Sequence, residues 1–373
     1  MAQNPFITPG SRVQLPPSPP SSRSSRCRHR VTAIRVSAYL VLFAFAVLAV
    51  SYRGLATAGA QTGVGYRYYV TGNRADVQPA TRGLIVMQGG GDDVDENFVR
   101  MGRAGGGGDF VVLQAAGGDA YNDYIFKLCA CDSVETLEVT TREAASDAFV
   151  VQTVRHAEAL FIAGGDQGDY LRLWQGTPLE QAINAVAAKP APVGGTSAGM
   201  AILGEFSHSS LGVESLTSAH ALADPYAPDL TLARDFIRLP VLTGLITDQH
   251  LKERDRMGRT LTMLARLRRD GWSQAPRAIA ADRETAVHVD PRDGSVEVLA
   301  RKSHSTPFVY MISAGQPATR CEPGSPLTIR DVDVYRLQPG ARFNLRNWRG
   351  EGGIAYTLSV EAGEMTSSRG AIY

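Results

Sequence analysis

The chain has 373 residues, of which 44% are hydrophobic and 38 are glycine, a composition typical of a globular α/β protein with many tight turns. Charge is unevenly distributed, since residues 1–60 contain seven arginines and no acidic residue, and the remainder carries 31 basic and 37 acidic residues. This mildly acidic body gives no support for nucleic-acid binding.

The first 60 residues are predicted to be a leader rather than part of the fold. Residues 1–30 are rich in Pro, Ser and Arg and are expected to lack structure, and an uncharged stretch, 36–50, follows them. The basic flank, an apolar stretch shorter than a full span of about 20 residues, and the small residues 56–60 describe a secretory signal peptide cleaved after Ala60. The alternative is an uncleaved anchor. We therefore expect an exported protein, periplasmic or extracellular, that meets a membrane only through this segment.

Apolar runs that end in glycine alternate with helix-like stretches from residue 82 onward. This order is typical of a parallel sheet with helices on both faces, in which ligands bind at the carboxyl ends of the strands. The predicted strands lie within 82–93, 108–118, 134–141, 159–167 and 191–200. The predicted helices include 144–156 and 178–188. The strands end in "GGGDD", "GGDQ" and "GGTSAG", which places these motifs at one edge of the sheet.

The second half of the chain is predicted to combine a long helix with further strands. Residues 252–271 read as an amphipathic helix that ends at Gly271, and 277–313 read as hairpin strands. The tail, 326–362, reads either as a small β extension or as edge strands of the main sheet. The predicted organisation is a leader (1–60), an α/β domain (61–320) and a β-rich extension (321–373).

Three cysteines follow the leader, namely Cys129, Cys131 and Cys321. Cys129 and Cys131 are close in sequence, and an unstrained disulfide requires a Cα separation of about 5.5 Å, so we do not expect them to bond to each other. Either one of them pairs with Cys321 in an oxidising compartment, or all three remain free thiols. Without neighbouring histidines they make a weak metal site. We expect neither a metal nor a cofactor.

The stretch "GTSAG" (195–199) has the pattern of a nucleophile elbow. Its small residues let the backbone turn sharply from a strand into a helix and present Ser197 to a substrate. The N–H of Ala198 is expected to stabilise an oxyanion, and Gly90 or Gly91 would supply a second donor. On its own, the pattern describes a glycine-rich turn without catalysis equally well.

A serine nucleophile needs a base, and His250 is the histidine whose context fits best. It lies where a predicted strand ends and a helix begins, which places it at the same sheet edge as Ser197. His156 and His288 stand in helix-like and strand-like contexts and are predicted to be structural. The remaining histidines of the body are assigned to polar loops: His208, His220 and His304.

Charged residues are concentrated around His250. Three arginines follow it: Arg254, Arg256 and Arg259. Clustered arginines suggest bidentate capture of a carboxylate, and Asp248 is suited to a cationic group. The alternative is a solvated amphipathic helix whose arginines pair with Glu253 and Asp255.

The acid that would orient the imidazole is not determined by spacing alone. The candidates beyond the nucleophile are Glu205, Glu214, Asp224 and Asp229.

Three motifs taken together resemble a known family. "GGDQ" (164–167), "GGTSAGM" (194–200) and "DQHLKERDRMGR" (248–259) resemble cyanophycinase and its relatives, serine peptidases that include the aspartyl dipeptidase. "GGGDD" and "DRETA" (282–286) agree, and the resemblance covers roughly residues 80–315. It implies a glutamine-amidotransferase-like three-layer α/β sandwich with a mostly parallel sheet, in which serine replaces the cysteine nucleophile.

The resemblance also implies roles for particular residues. Ser197 would be the nucleophile and His250 the base, and the acid would lie a little under 20 residues beyond the serine, where Glu214 fits better than Glu205. Leu251 stands where the family usually has Phe. The pocket residues that it implies are Gln167, Asp248, Gln249, Arg254, Arg256 and Arg259.

The family cleaves cyanophycin, a poly-aspartate backbone with arginine on its side-chain carboxyls, and releases β-aspartyl-arginine. Our leading hypothesis is an exported serine peptidase that acts on cyanophycin or on related β-aspartyl or acidic peptides. The alternatives are a general α/β serine esterase and a non-catalytic periplasmic peptide-binding protein on the same fold. The sequence does not determine the oligomeric state, and a homodimer remains open.

Overall fold

The computed structural model describes residues 57–211 and 216–373. Most of the predicted leader, the expected signal peptide and Glu214 therefore lie outside the described residues. The described residues belong to one compact unit, Gly54–Tyr373. None of the helices in the described part of the chain is both long enough and apolar enough to cross a membrane.

The described chain alternates strands and helices through its first half and is mainly β-structure near its end. The strands are β1 (Thr57–Gly63), β2 (Tyr66–Gly72), β3 (Leu84–Gln88), β4 (Asp109–Gln114), β5 (Ser133–Val139), β6 (Ala159–Ile162), β7 (Pro192–Thr196), β8 (Phe206–His208), β9 (Leu232–Arg234), β10 (Leu245–Asp248), β11 (Arg277–Ala281), β12 (Thr285–Val289), β13 (Ser295–Ala300), β14 (Val309–Ser313), β15 (Ile329–Leu337), β16 (Arg342–Asn344), β17 (Arg349–Glu351), β18 (Ile354–Glu361) and β19 (Glu364–Ser367). The α-helices are α1 (Asp95–Ala104), α2 (Asn122–Cys129), α3 (Ala148–His156), α4 (Gln167–Trp174), α5 (Pro178–Ala188), α6 (Ala198–Ala201), α7 (Ser218–Ala223) and α8 (Met257–Arg269), with 3-10 turns at Ala144–Ser146 and Pro240–Leu242.

The strands form two sheets. The first has the order β1-β2-β5-β4-β6-β7-β3-β12-β13-β16-β17, and the second has the order β19-β18-β15-β14-β11-β10-β8-β9. The first sheet is parallel from β5 to β3, and the second is parallel only where β8, β10 and β11 adjoin. All other pairings in the described chain are antiparallel and outnumber the parallel ones. The α/β class is thus correct, but the expectation of a mostly parallel sheet is wrong, because many strands are joined by short turns rather than by the crossover that parallel neighbours need.

Three apolar layers hold the sheets and helices together. Helices α1 and α2 cover one face of the first sheet, where Phe98 and Ile125 pack on Phe161. The other face packs against α3, α5 and the inner side of the second sheet, which contributes Ile279. Helices α7 and α8 cover the outer face of the second sheet, where Leu261 lies in the core. The inner faces of the two sheets therefore share one core, which is what brings their strand ends together.

The predicted elements of the first half are confirmed in position. Each predicted strand window contains one of β3 to β7, except that β5 begins one residue before its window. The predicted helix 144–156 is a 3-10 turn followed by α3, because the Asp147 side chain accepts the N–H groups of Phe149 and Val150 and caps a new helix there. Helix α5 begins at Pro178, whose fixed φ suits the first turn.

The long helix of the second half differs from the prediction in its start and in its surroundings. Helix α8 begins at Met257 rather than near residue 252, because His250 and Asp255 adopt positive φ angles of 49° and 44° that keep the chain in turns. Its residues from Met257 to Ala265 are all buried. The interpretation as a solvated amphipathic helix is therefore wrong.

The strands of the tail extend both sheets. β15 pairs with β14 of the second sheet, and β16 pairs with β13 of the first. The predicted run of hairpins within 277–313 is correct for β12 and β13 but not for β11, which lies in the second sheet while β12 lies in the first. The segment 282–284 between β11 and β12 therefore crosses from one sheet to the other.

The expectation that Cys129 and Cys131 do not bond to each other is wrong. Cys129 and Cys131 are bonded to each other, with their Cα atoms 5.2 Å apart, and Cys321 is a buried free thiol. Ala130 between them has a left-handed φ of 52°, which turns the chain so that the two side chains meet.

Candidate active site

Ser197 lies in a strained turn between β7 and α6. Its φ of 51° and ψ of −114° are unusual for a residue with a side chain, and its N–H donates to the carbonyl of Gln88 at 3.0 Å. The turn depends on glycine, since a Cβ on Gly199 would lie 2.0 Å from the carbonyl oxygen of Ile162. The sharp strand-to-helix turn predicted from "GTSAG" is present.

The hydroxyl of Ser197 meets the imidazole of His250. The Ser197 Oγ and His250 Nε2 atoms are 3.1 Å apart, within the range of a nucleophile and its base. His250 follows β10 of the second sheet, and its N–H donates to the carbonyl of Gly89 at 2.9 Å. The imidazole is thus fixed against the first sheet while its chain comes from the second.

A carboxylate that the sequence reasoning missed stands behind His250. Glu253 Oε1 lies 3.6 Å from His250 Nδ1, and its side chain is 26% exposed. Glu253 Oε1 also accepts the N–H of Arg283 at 2.6 Å, while the N–H of Lys252 donates to Asp282 at 3.1 Å. The two reciprocal bonds clamp the His250 turn to the "DRETA" segment. The available signal was the spacing of three between His250 and Glu253, which we interpreted only as a possible arginine partner.

The candidate acids from the sequence fare differently. Glu205 accepts the N–H of Gly244 at 2.5 Å, at the start of β10 and away from the strand end that bears His250. Glu214 lies outside the described residues. Asp224 accepts the N–H groups of Tyr226 and Gly324. The structure therefore brings Glu253, and not Glu205 or Asp224, to the imidazole.

Burial and nearby charge shift the titration of these groups. Burial lowers the pKa of His250 below its ordinary value, and Arg254 adds to this effect while Glu253 opposes it. Burial alone would raise the pKa of Glu253, but the neighbouring His250 imidazole and the hydrogen bond from the Arg283 N–H hold it below its ordinary value. Around neutral pH, His250 is therefore uncharged and Glu253 is ionised.

Backbone amides of two turns lie near the serine. Ala198, the first residue of α6, has an N–H with no acceptor inside its helix. Gly90 and Gly91 have positive φ angles of 89° and 77°, and a Cβ on Gly90 would lie 2.1 Å from His250 Nε2. The turn at residues 89–93, which we call the glycine turn, therefore approaches the His250 imidazole as closely as only a residue without a side chain can.

Asp248 and Arg259 form a fully buried ion pair. Arg259 donates to both carboxylate oxygens of Asp248, with its Nε 3.2 Å from Oδ2, and Thr260 donates to Oδ2 at 2.8 Å. Burial alone would raise the pKa of Asp248, but the charges of Arg259 and Arg256 hold it below its ordinary range. Asp248 and Arg259 are thus already paired with each other, so neither charge is free to bind a substrate.

Arg256 and Arg254 differ in their surroundings. Arg256 is buried, and its guanidinium donates to the Gln249 side-chain oxygen at 2.6 Å and to the Gln249 carbonyl at 3.0 Å. Burial lowers the pKa of Arg256 to about 9. Arg254 is exposed, and its N–H donates to the carbonyl of His250. Arg254 therefore presents its charge to solvent beside the serine–histidine pair.

The "GGDQ" motif forms another wall of the site. A Cβ on Gly164 would lie 3.5 Å from the Cβ of Ser197, so the motif passes directly beside the serine. Gln167 is buried, and its amide nitrogen lies 3.4 Å from the carbonyl oxygen of His208. His208 itself is buried in β8 and not in a polar loop as predicted, and burial lowers its pKa to about 4.

Among the described residues, no group of three or more His, Cys, Asp or Glu side chains is arranged to hold a metal ion.

Comparison with known proteins relates this chain to peptidases. The model of peptidase family S51 matches residues 120–224. A cyanophycinase of Nostoc sp. is 26% identical over 286 residues, which cover 71% of this chain and 87% of the relative. A cyanophycinase of Geminocystis herdmanii is 27% identical over 292 residues, which cover 73% of this chain and 97% of the relative. A solved peptidase from an acI-B1 Actinobacterium covers 72% of this chain and 98% of its own, with 15% identity and a TM-score of 0.47.

The chain is therefore a hydrolase of the peptidase class. The resemblance predicted from the three motifs is confirmed: the chain is similar to the cyanophycinases over 71–73% of its length, and to the model of peptidase family S51 over residues 120–224.

Proposed function

We propose that the chain is a serine-type peptidase on a glutamine-amidotransferase-like core, with Ser197 as nucleophile and His250 as base. The observation that carries the proposal is the 3.1 Å separation of Ser197 Oγ and His250 Nε2 at a strained turn. A serine hydroxyl is a weak nucleophile unless a neighbouring base takes its proton, and a neutral buried imidazole is suited to that task.

The steps follow from these positions. His250 Nε2 takes the proton of Ser197 as Oγ attacks the peptide carbonyl. The carbonyl oxygen becomes an oxyanion, which the N–H of Ala198 and an N–H of Gly90 or Gly91 stabilise. The C–N bond breaks as His250 returns the proton to the leaving amine. Water, deprotonated by His250, then attacks the acyl group and restores Ser197.

Glu253 is the acid that we assign to this pair, in preference to Glu214 and Glu205. Its carboxylate is held by the N–H of Arg283 and faces Nδ1 of His250, the nitrogen that does not meet the serine. In that position it favours the tautomer with a proton on Nδ1 and stabilises the imidazolium that forms during the reaction.

The substrate that we propose is cyanophycin or a related β-aspartyl or acidic peptide. The exposed Arg254 attracts carboxylates toward the site, and Arg256, oriented by Gln249, offers a fixed positive charge nearby. Gln167 and Gln249 would line the pocket. The buried Asp248–Arg259 pair would form its floor, so that a substrate cation could reach Asp248 only by displacing Arg259.

The proposal is tested by incubating the purified protein with cyanophycin and determining the products by mass spectrometry. We expect dipeptide release that Ser197→Ala abolishes, and labelling of Ser197 by a fluorophosphonate probe. The matched control is Ser146→Ala, which alters an exposed serine whose hydroxyl donates to Arg142. Turnover of simple esters with no cleavage of acidic peptides would indicate an esterase. Binding without labelling at Ser197 would indicate a binding protein.

Export is the second part of the proposal. It is supported by the basic and apolar leader and by the Cys129–Cys131 disulfide, since disulfides persist mainly in oxidising compartments. Cleavage after Ala60 would leave the last three residues of β1, an edge strand whose partner among the described strands is β2. N-terminal sequencing of the protein recovered outside the cytoplasm checks this point. A protein recovered only from the cytoplasm with its leader intact would contradict it.

A further inference from the structure

A network of hydrogen bonds among buried polar side chains runs beneath the glycine turn. Asn97 Nδ2 donates to Gln88 Oε1 at 2.7 Å, and His288 Nε2 lies 2.7 Å from Asn97 Oδ1. Gln88 and Asn97 are completely buried, and His288 is nearly so. These three residues come from β3, α1 and β12, and the proposed reaction does not use their side chains.

One backbone amide fixes the donor and the acceptor of each hydrogen bond in this network. The N–H of Val94 can only donate, and it lies 3.0 Å from the oxygen of the Gln88 side chain. The amide nitrogen of Gln88 therefore faces Asp93, at 3.0 Å from Oδ1. Because Asn97 donates to the same Gln88 oxygen, its own oxygen must face His288, whose Nε2 therefore carries a proton and donates. Burial lowers the pKa of His288 to about 3, so the ring is neutral and one tautomer is defined.

This network ties together the two ends of the turn that contains Gly90 and Gly91. The Gln88 side chain reaches forward along its own segment, with its Nε2 3.3 Å from the carbonyl of Asp92 in addition to its bond with Asp93. The backbone carbonyl of Gln88 accepts the N–H of Ser197. One residue thus binds the nucleophile turn through its backbone and the far end of the glycine turn through its side chain.

The position of the glycine turn needs such support, because its residues are intrinsically free. Glycine populates positive φ angles at no steric cost, so the angles of Gly90 and Gly91 are not fixed by side chains of their own. Backbone donors stabilise an oxyanion only when they are held at the place where the charge develops.

We propose that Asn97 is a positioning residue for the reaction. Asn97 holds the Gln88 side chain in place through a hydrogen bond, and His288 holds Asn97 in the same way. The Gln88 side chain in turn keeps the amides of Gly90 and Gly91 opposite Ser197. The proposal rests on the proposed function, since it assigns these amides to the oxyanion. Asn97 does not touch the substrate and acts only through the turn.

Asn97→Leu and Asn122→Leu test this assignment as a matched pair. Asn122 is also buried near the start of a helix and also makes two hydrogen bonds, to the carbonyl of Val134 at 2.9 Å and from Thr136 at 2.6 Å, and neither bond is made to the glycine turn. Both variants should lose similar thermal stability. Only Asn97→Leu should lower kcat, by about 10- to 100-fold with little change in KM, since oxyanion donors act in the transition state.

Hydrogen exchange supplies a readout that does not depend on activity. Amide exchange in a peptide that covers residues 84–94 should accelerate in Asn97→Leu and stay unchanged in Asn122→Leu. His288→Gln, which can still donate to Asn97, should retain most of the kcat that His288→Leu loses.

Each outcome bears on the proposal. Equal losses of kcat in the two asparagine variants, or unchanged exchange in Asn97→Leu, would overturn it. If the wild-type protein neither cleaves peptides nor reacts with a fluorophosphonate, the proposed function fails, and the exchange experiment alone then decides whether Asn97 holds the turn.

Discussion

The carboxylate of Glu253 lies 3.6 Å from Nδ1 of His250, while Nε2 of the same ring lies 3.1 Å from the hydroxyl of Ser197. The imidazole thus stands between a carboxylate and a hydroxyl, each at its own ring nitrogen. The turn that contains both His250 and Glu253 makes this arrangement local in sequence, and the Arg283 N–H keeps the carboxylate in place.

Glu253→Gln should lower kcat at least about 10-fold, because a neutral amide stabilises the imidazolium less and no longer enforces one tautomer. Steady-state kinetics on an acidic peptide substrate would show this. Glu205→Gln is the matched control, since Glu205 binds the N–H of Gly244, and it should leave kcat unchanged. A larger loss in Glu214→Gln than in Glu253→Gln would instead assign the acid to Glu214.

The pH dependence of kcat/KM should follow His250. The base acts as a neutral imidazole, so activity falls as the pH drops through the pKa of His250. Burial places that pKa below its ordinary value of 6.5, so the midpoint of the acid limb should lie below pH 6.5. Glu253 raises the pKa of His250, and Glu253→Gln should therefore move the limb to still lower pH. An upward shift in the pH–rate profile would contradict this assignment.

Gly90→Ala should abolish most activity. Its Cβ would lie 2.1 Å from His250 Nε2, which would push the imidazole away from Ser197 and cost on the order of 100-fold in kcat/KM. Gly271→Ala is the matched control, because Gly271 has a similar φ of 75° with nothing near the added methyl group. Gly271→Ala should lose the smaller amount of stability in thermal unfolding, because it adds backbone strain without a clash. Similar activities in the two variants would show that the close approach is unimportant.

Arg259→Met should strongly destabilise the fold, because it leaves the Asp248 carboxylate buried without its cation. The expected loss in the free energy of unfolding is about 3–5 kcal/mol. Arg172→Met removes an exposed pair with Asp169 and should cost no more than about 1 kcal/mol. Denaturant unfolding of the two variants measures both values. Equal losses would mean that the buried pair contributes no more than a surface one.

The motifs predicted the site better than they predicted its surroundings. Glycine and serine at a strand end determine a turn through local sterics. The position of Ser197, between a strand and a helix, could therefore be predicted. The partner of His250 could not, because Glu253 and Arg256 follow each other closely in one charged run, and their different burial results from packing against the second sheet. The bond between Cys129 and Cys131 depends on the left-handed Ala130, which composition does not reveal.

The pair of Ser197 and His250 joins residues from two different sheets, and a shared apolar core packs those sheets against each other. On the proposed mechanism, catalytic competence is consequently a property of their docking rather than of either sheet alone. A chain in which each sheet has formed its hydrogen bonds, but in which the sheets have not yet met, contains every reactive side chain and no working nucleophile. On the proposed mechanism, the chain would therefore gain peptidase activity only once its two sheets have docked.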